Sequence, residues 1–227
     1  MKKLFVMLVV LAAVVPVQAA NLLTNGNFNT GDLTGWTTWV PNDANQEIVV
    51  LGGGHPDNYD GTPFAKTRNN EAWGEGRWGN YRFYQRVNLS PGTTISVSLV
   101  YKSTTPEQGG AGVTVGYYGA DDGWLAYMWA PLYDAFPDNP DVGVLLGPTE
   151  WTVFDTATLR NDGWPAKYGG YEGTLTAPEG VAYLEVSVSD WDYDDVIYVD
   201  NFVLTPEPAT MVMLGLGGLA LVRRKRA

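Results

Sequence analysis

Thr94-Ile95-Ser96-Val97-Ser98-Leu99-Val100-Tyr101 alternates apolar and polar side chains, and Ala182-Tyr183-Leu184-Glu185-Val186-Ser187-Val188 does so again much later in the chain. A period of two places every second side chain on one face of an extended backbone, the pattern of a half-buried antiparallel strand. These two segments belong to longer β-rich runs, Thr94–Ser103 and Val181–Ser189. Others stand at Glu47–Leu51, Tyr81–Leu89, Gly112–Tyr118, Thr152–Leu159 and Val196–Leu204. With 27 glycines and 14 prolines between them and no sustained helical period, the pattern predicts an all-β fold, an antiparallel β-sandwich. Residues 120–149 are less regular and read as long loops or a short insertion.

Length and charge narrow the function. The chain has 227 residues, and both ends read as address labels, which leaves Asn21–Thr205 as one domain large enough to bury a core. Lys2 and Lys3 lie near the start and Arg223, Arg224, Lys225 and Arg226 near the finish; between Lys3 and Arg223 lie eight bases and all 25 acids, a net charge near −17. Such a field repels nucleic acid and leaves neutral glycans or divalent cations as easier partners. The chain has no cysteine, which excludes disulfides, thiol catalysis and thiolate metal sites. A single histidine, His55, excludes multi-histidine metal sites and reads as a loop residue.

Residues 1–20 have the anatomy of a secretory signal peptide: two lysines, the apolar run Leu4–Val17, then Val17-Gln18-Ala19 with small residues suited to cleavage beside Ala19 and Ala20. Residues 206–227 form a second address. Pro206-Glu207-Pro208 precedes the apolar stretch Ala209–Val222 and the basic end Arg223–Arg226. Fourteen helical residues reach about 21 Å, short of a ~30 Å hydrocarbon core. Gly215, Gly217 and Gly218 make 209–222 a poor permanent anchor in the inner membrane but a reasonable transient one, with its basic end in the cytoplasm. Prolines on both sides of Glu207 hold the tripeptide extended, which is expected to leave it accessible.

This tail resembles the PEP-CTERM sorting signal. The resemblance implies a single apolar sorting helix, a Gram-negative cell, and processing by the membrane enzyme exosortase in a setting of extracellular polysaccharide. It implies a location, cell surface or extracellular matrix, and no activity.

Within the domain, four pieces occur in order: Asn21-Leu22-Leu23-Thr24-Asn25-Gly26-Asn27-Phe28 leading to Gly35-Trp36, Tyr84-Gln85-Arg86-Val87-Asn88-Leu89, Glu150-Trp151-Thr152-Val153-Phe154, and Ile197-Tyr198-Val199-Asp200-Asn201-Phe202-Val203-Leu204. Together they resemble the jelly roll of galactose-binding-like domains, which include many carbohydrate-binding modules. The resemblance implies buried positions for Trp36 and Trp151. It also implies one structural calcium at Asn29 and Asp200, where an amide at 29 replaces the family's usual acid and weakens the donor set. The run Asp190-Trp191-Asp192-Tyr193-Asp194-Asp195 lacks EF-hand spacing and reads as a solvated acidic loop.

Nine tryptophans and thirteen tyrosines supply aromatic faces of the kind that stack on sugar rings. Trp73 and Trp78 stand in a Gly/Asn-rich stretch without strand alternation, and loops on a rigid scaffold concentrate binding residues. Trp124, Tyr127 and Trp129 form a second cluster. Catalysis has little to rest on: there is no G-x-S-x-G, and Glu71 with Glu75 is merely one pair among many acids. The reading is an exported, non-catalytic protein that binds carbohydrate. A coat or biofilm-matrix protein without a specific ligand is the alternative, and a polysaccharide-active enzyme the third.

Overall fold

A computed structural model describes residues 20–40, 46–69, 81–105, 110–134, 147–156, 172–191 and 195–207. In chain order the strands are β1 (Thr37–Trp39), β2 (Gln46–Leu51), β3 (Phe64–Asn69), β4 (Tyr81–Asn88), β5 (Ile95–Ser103), β6 (Gly110–Tyr118), β7 (Trp124–Asp134), β8 (Thr152–Asp155), β9 (Glu172–Gly173), β10 (Tyr183–Trp191) and β11 (Asp195–Pro206). They form two antiparallel sheets. One has the order β1-β4-β10-β6-β7-β9 and the other β2-β3-β11-β5-β8.

The alternation assigns the faces as expected. Ile95, Val97 and Leu99 of β5 point inward and are buried, as are Leu184, Val186 and Val188 of β10. Cross-strand register carries this face through the larger sheet, because Val186 pairs with Val115 and Val188 with both Val113 and Phe83. Phe154, Ile197, Val199 and Leu204 close the core from the second sheet.

Residues 120–149 depart from the sequence reading. They contain β7, the longest strand but one, which the pattern hid because its pairing with β6 slips twice. Each slip inserts an extra residue and inverts the alternation beyond it. Conversely, the run Thr152–Leu159 is strand only to Asp155 among the described residues. Asp190, expected in an acidic loop, lies in β10, fully buried, where its Oδ2 accepts from the Thr67 hydroxyl at 2.9 Å.

The N-terminal segment locks onto the last strand. The Asn21 side-chain amide donates to the Phe202 carbonyl at 3.0 Å, its Oδ1 accepts from the Leu204 N–H at 2.9 Å, and the Leu22 N–H donates to the Leu204 carbonyl at 2.8 Å. Gly26 permits this approach: a Cβ there would sit 2.1 Å from the Phe202 carbonyl oxygen. Phe28, Trp36, Phe83 and Phe202 then meet ring to ring at 5.0–6.0 Å. Two of the sequence pieces quoted above thus pack directly on each other.

Trp151 behaves differently from Trp36. It lies half-buried outside the sandwich, against Phe64, Tyr198 and Tyr59 on the outer face of the smaller sheet, with its indole N–H donating to the Asp57 carbonyl at 2.9 Å. The loop 52–63 folds back over that face, so the aromatic expected in the core forms a satellite cluster instead. Trp36→Ala should therefore destabilise the domain by about 3–5 kcal/mol in urea unfolding, and Trp151→Ala by roughly 1.5–3 kcal/mol at most. Equal losses would contradict this assignment of the core.

Candidate functional site

The face of the larger sheet that points away from the core carries an unusual set of side chains. Register places Tyr183 opposite both Asn88 and Tyr118, Glu185 opposite Arg86 and Gly116, and Tyr118 opposite Trp124. Tyr127 pairs with Gly116 and Trp129 with Thr114 on the same face. In an unbroken strand Trp124 and Tyr127, three apart, would face opposite ways. The slip between Tyr117 and Tyr118 leaves Leu125 as the extra residue and turns Trp124 onto the face of Tyr127 and Trp129. All three of these predicted residues are thereby brought together.

The rings continue into neighbouring strands. Tyr118 and Tyr183 stack at 5.1 Å with planes 9° apart, Trp124 meets Tyr118 edge-on at 5.6 Å, and Tyr127 lies 5.8 Å from Trp124. Arg86 completes the row, its guanidinium 4.9 Å above Tyr183 and 5.9 Å from Tyr84. At ~4.8 Å per strand the row crosses about 15 Å from β4 to β7. Gly116 lets the row lie flat, because a Cβ there would meet the Tyr118 ring at 2.9 Å. Trp124 is 57% exposed, and on the opposite edge Trp39, paired with Arg82, is 48% exposed.

Beneath this row lies a buried charge. Glu185 is 4% exposed although it faces away from the core. Its Oε1 is 3.0 Å from Arg82 Nη2 and its Oε2 3.2 Å from Arg86 Nε. Ser187 and Ser189, also buried, continue the polar floor along β10. Arg86 reaches Asp122 at 3.8 Å, and Asp122 accepts from the Tyr183 hydroxyl at 2.5 Å, which holds that phenol up near about 12 ahead of any effect of burial. The arrangement offers flat apolar rings above guanidinium and hydroxyl donors. Both oxygens of its carboxylate are occupied by donors, so Glu185 is an acceptor that fixes geometry.

Arg82, Tyr84, Arg86, Tyr118, Tyr183 and Glu185 were not singled out from sequence. The signal existed: alternate positions of Tyr81–Leu89 read Arg82, Tyr84, Arg86 on one face and Phe83, Gln85, Val87 on the other. Trp73 and Trp78, with Glu71 and Glu75, lie outside the described residues, as do Ala19, Pro208 and 209–222. Among the described residues no helix is long and apolar enough to cross a membrane. His55 is a packed loop residue whose Nδ1 accepts from the Asp57 N–H at 3.2 Å.

The two calcium candidates sit in different surroundings. Asn29 is exposed in a turn, its N–H bonded to Asn27 Oδ1 at 3.4 Å. Asp200 is fully buried beside the irregularity in β11, accepting from the Asn201 N–H at 2.7 Å and the Thr62 hydroxyl at 3.5 Å. Burial pushes the Asp200 carboxyl up to about 7; the Asn201 N–H opposes this and the nearby charge of Asp60 adds to it. The oxygens near Asp200 are thus the Thr62 hydroxyl and the Asp60 carboxylate, while Asn201 presents N–H groups to both acids, and no cluster of three or more His, Cys, Asp or Glu suited to a metal occurs among the described residues.

Comparison with known proteins assigns the tail and the fold. Residues 204–226 match the PEP-CTERM protein-sorting motif. No curated protein matches the chain. Among solved structures it is similar to a putative sugar binding protein from Bacteroides thetaiotaomicron, at 15% identity and a TM-score of 0.52, covering 83% of this chain and 100% of that one. It is also similar to an arabinose-bound α-L-arabinofuranosidase (16% identity, TM-score 0.53, 83% of this chain and 26% of that one). A third is the N-terminal endo-1,4-β-D-xylanase 10B of Clostridium thermocellum complexed with xylohexaose (12% identity, TM-score 0.52, 85% of this chain and 29% of that one). The chain therefore spans under a third of either enzyme. At these identities the likeness shows the fold, a jelly-roll sandwich.

A paired, buried charge is strongly destabilising to break, whereas an exposed partner contributes little. Glu185→Gln should cost about 1.5–3 kcal/mol in urea unfolding, because it removes the charge that accepts from both Arg82 and Arg86, whose guanidiniums remain within reach of water. Arg86→Ala, half-exposed, should cost about 1 kcal/mol or less. A loss on Glu185→Gln no larger than on Arg86→Ala would contradict this floor.

Proposed function

We propose that this is an exported, non-catalytic carbohydrate-binding protein that holds extracellular polysaccharide on the outer face of its larger sheet. The observation that carries the reading is the continuous row Arg86, Tyr183, Tyr118, Trp124, Tyr127 above a donor-bearing floor. Aromatic planes match the apolar faces of sugar rings, and guanidinium and hydroxyl groups match their oxygens. The sugar-related neighbours share the fold and support this reading by analogy. The PEP-CTERM match fits an exported chain whose tail, residues 206–227, is handled at the inner membrane by an exosortase-type enzyme before release. On this reading residues 1–20 are removed as a signal peptide and 21–205 form the binding domain.

Loss of an exposed ring removes stacking without opening a core cavity. Trp124→Ala and Tyr127→Ala should each weaken binding to the best ligand on a glycan array by about 5–150-fold, the equivalent of roughly 1–3 kcal/mol per stacked ring by analogy with stacking on nucleobases. Melting temperature should move little for exposed Trp124. An array without any bound glycan, or binding indifferent to both substitutions, would favour a coat or matrix protein.

A structural calcium held at Asp200 with Asp60 and Thr62 is a separate proposal, testable through protons. In chelator the folded pKa of Asp200, about 7, stands above its ordinary 3.8, so the native state binds the extra proton between those values. Stability from this group is then present below pH 4 and lost as pH rises through 7. Asp200→Asn should flatten that decline between pH 5 and pH 8. Calcium favours the carboxylate and should restore melting temperature at pH 8 in the parent and not in Asp200→Asn; no calcium shift in either would remove the proposal.

A further inference from the structure

The sorting motif does not begin on a free tether. The matched segment starts at Leu204, and β11 runs to Pro206, so three residues of the motif are also residues of the sheet. Leu204 is fully buried. The Thr205 hydroxyl pairs with that of Ser96 at 2.8 Å across the strands, and Pro206 stands opposite Ile95. Glu207 is exposed as a side chain, yet its N–H donates to the Thr94 carbonyl at 2.7 Å. Thr94 in turn is bridged to Thr176. Pro206 is extended as a continuation of the strand, and Glu207 follows it with its N–H still bonded to the neighbouring strand's end.

We propose that the folded sandwich gates processing of its own tail: a membrane-bound processing enzyme gains Pro206 and Glu207 only when the end of β11 unpairs from the start of β5. Enzymes and receptors that take peptides as extended strands read the backbone N–H and C=O groups and flanking side chains. Here the Glu207 N–H is already committed to Thr94, and the residue two positions before Pro206 is a core side chain. There is no slack on the other side, because the apolar stretch starts at Ala209, at most about 7 Å of extended chain beyond Glu207. An enzyme gripping the tripeptide therefore meets the wall of the sandwich. The gate is light. Pro206 has no N–H to release, so opening breaks the Glu207–Thr94 bond and frees residues 206–207 while Leu204 stays buried.

This inference rests on the tail being processed at the membrane, and the test separates the two. The full chain and a variant carrying six Gly/Ser residues between Thr205 and Pro206 would be followed by pulse-chase in the bacterium that makes it. The insertion moves the tripeptide off the sheet and should speed loss of the tail by about fivefold or more, the factor by which one backbone hydrogen bond of ordinary net strength favours the closed state. In the purified parent, the Glu207 amide should be protected from hydrogen exchange, and in the variant it should exchange as a free chain. Equal processing rates in the two chains, or an unprotected Glu207 amide in the parent, would overturn the gate. If neither chain is processed while Glu207 is protected, the sorting reading itself fails and the gate falls with it.

Discussion

A carboxylate fixed at the centre of a sheet face organises this molecule. Glu185 lies on the middle strand of the larger sheet, pointing away from the core, and is nevertheless almost completely buried. A charge so placed is tolerated only if it is paired and hydrogen-bonded. The two guanidiniums of β4 meet that demand, and in doing so they are positioned against Tyr84 and Tyr183. Tyr183 carries the order on to Tyr118, and Tyr118 to Trp124. The aromatic row is therefore anchored through ring contacts to the strand pairing beneath it, and a surface ordered in advance spends less of its interaction energy on ordering side chains.

The same central strand links the site to the core. Leu184, Val186 and Val188 on its inner face are fully buried against β6 and the second sheet, while Glu185, Ser187 and Ser189 form the outer floor. β10 thus has no solvent-facing side between residues 184 and 190. Fold stability and site geometry are two faces of one strand, and a substitution on either face acts on both. The N-terminal segment strengthens the opposite sheet, where Asn21 and Gly26 fasten to Phe202 and Leu204 close to the point where the sorting motif begins.

Much of this was legible in the amino-acid order, and the exceptions have physical causes. Alternation in β5 and β10 and β-rich composition in β2, β4, β6 and β11 located these strands to within two residues at each end, while β1, β3 and β9 went unread. Alternation failed at β7, where extra residues invert the period, yet that inversion is what aligns Trp124 with Tyr127 and Trp129. The aromatic cluster was therefore recognisable by composition, while its placement on one face was not. Arg82, Arg86 and Glu185 were missed because each is unremarkable alone; their meaning comes from cross-strand register. Trp36 fulfilled its expected burial, and Trp151 did not, because the loop 52–63 supplies a second apolar surface outside the sandwich. The extended character of Pro206-Glu207 was read correctly, whereas its pairing to Thr94 depends on where β5 starts.

On the proposed reading, a carbohydrate binds the outer face of the larger sheet, built over Glu185. This placement is tested most directly by titrating the isotope-labelled domain with an oligosaccharide chosen from the array and following backbone and indole NMR signals. Shifts are expected to concentrate at Arg86, Tyr118, Trp124, Tyr127 and Tyr183, with the 52–63 loop around Trp151 unmoved. Shifts confined to that loop, on the face of the other sheet, would contradict it.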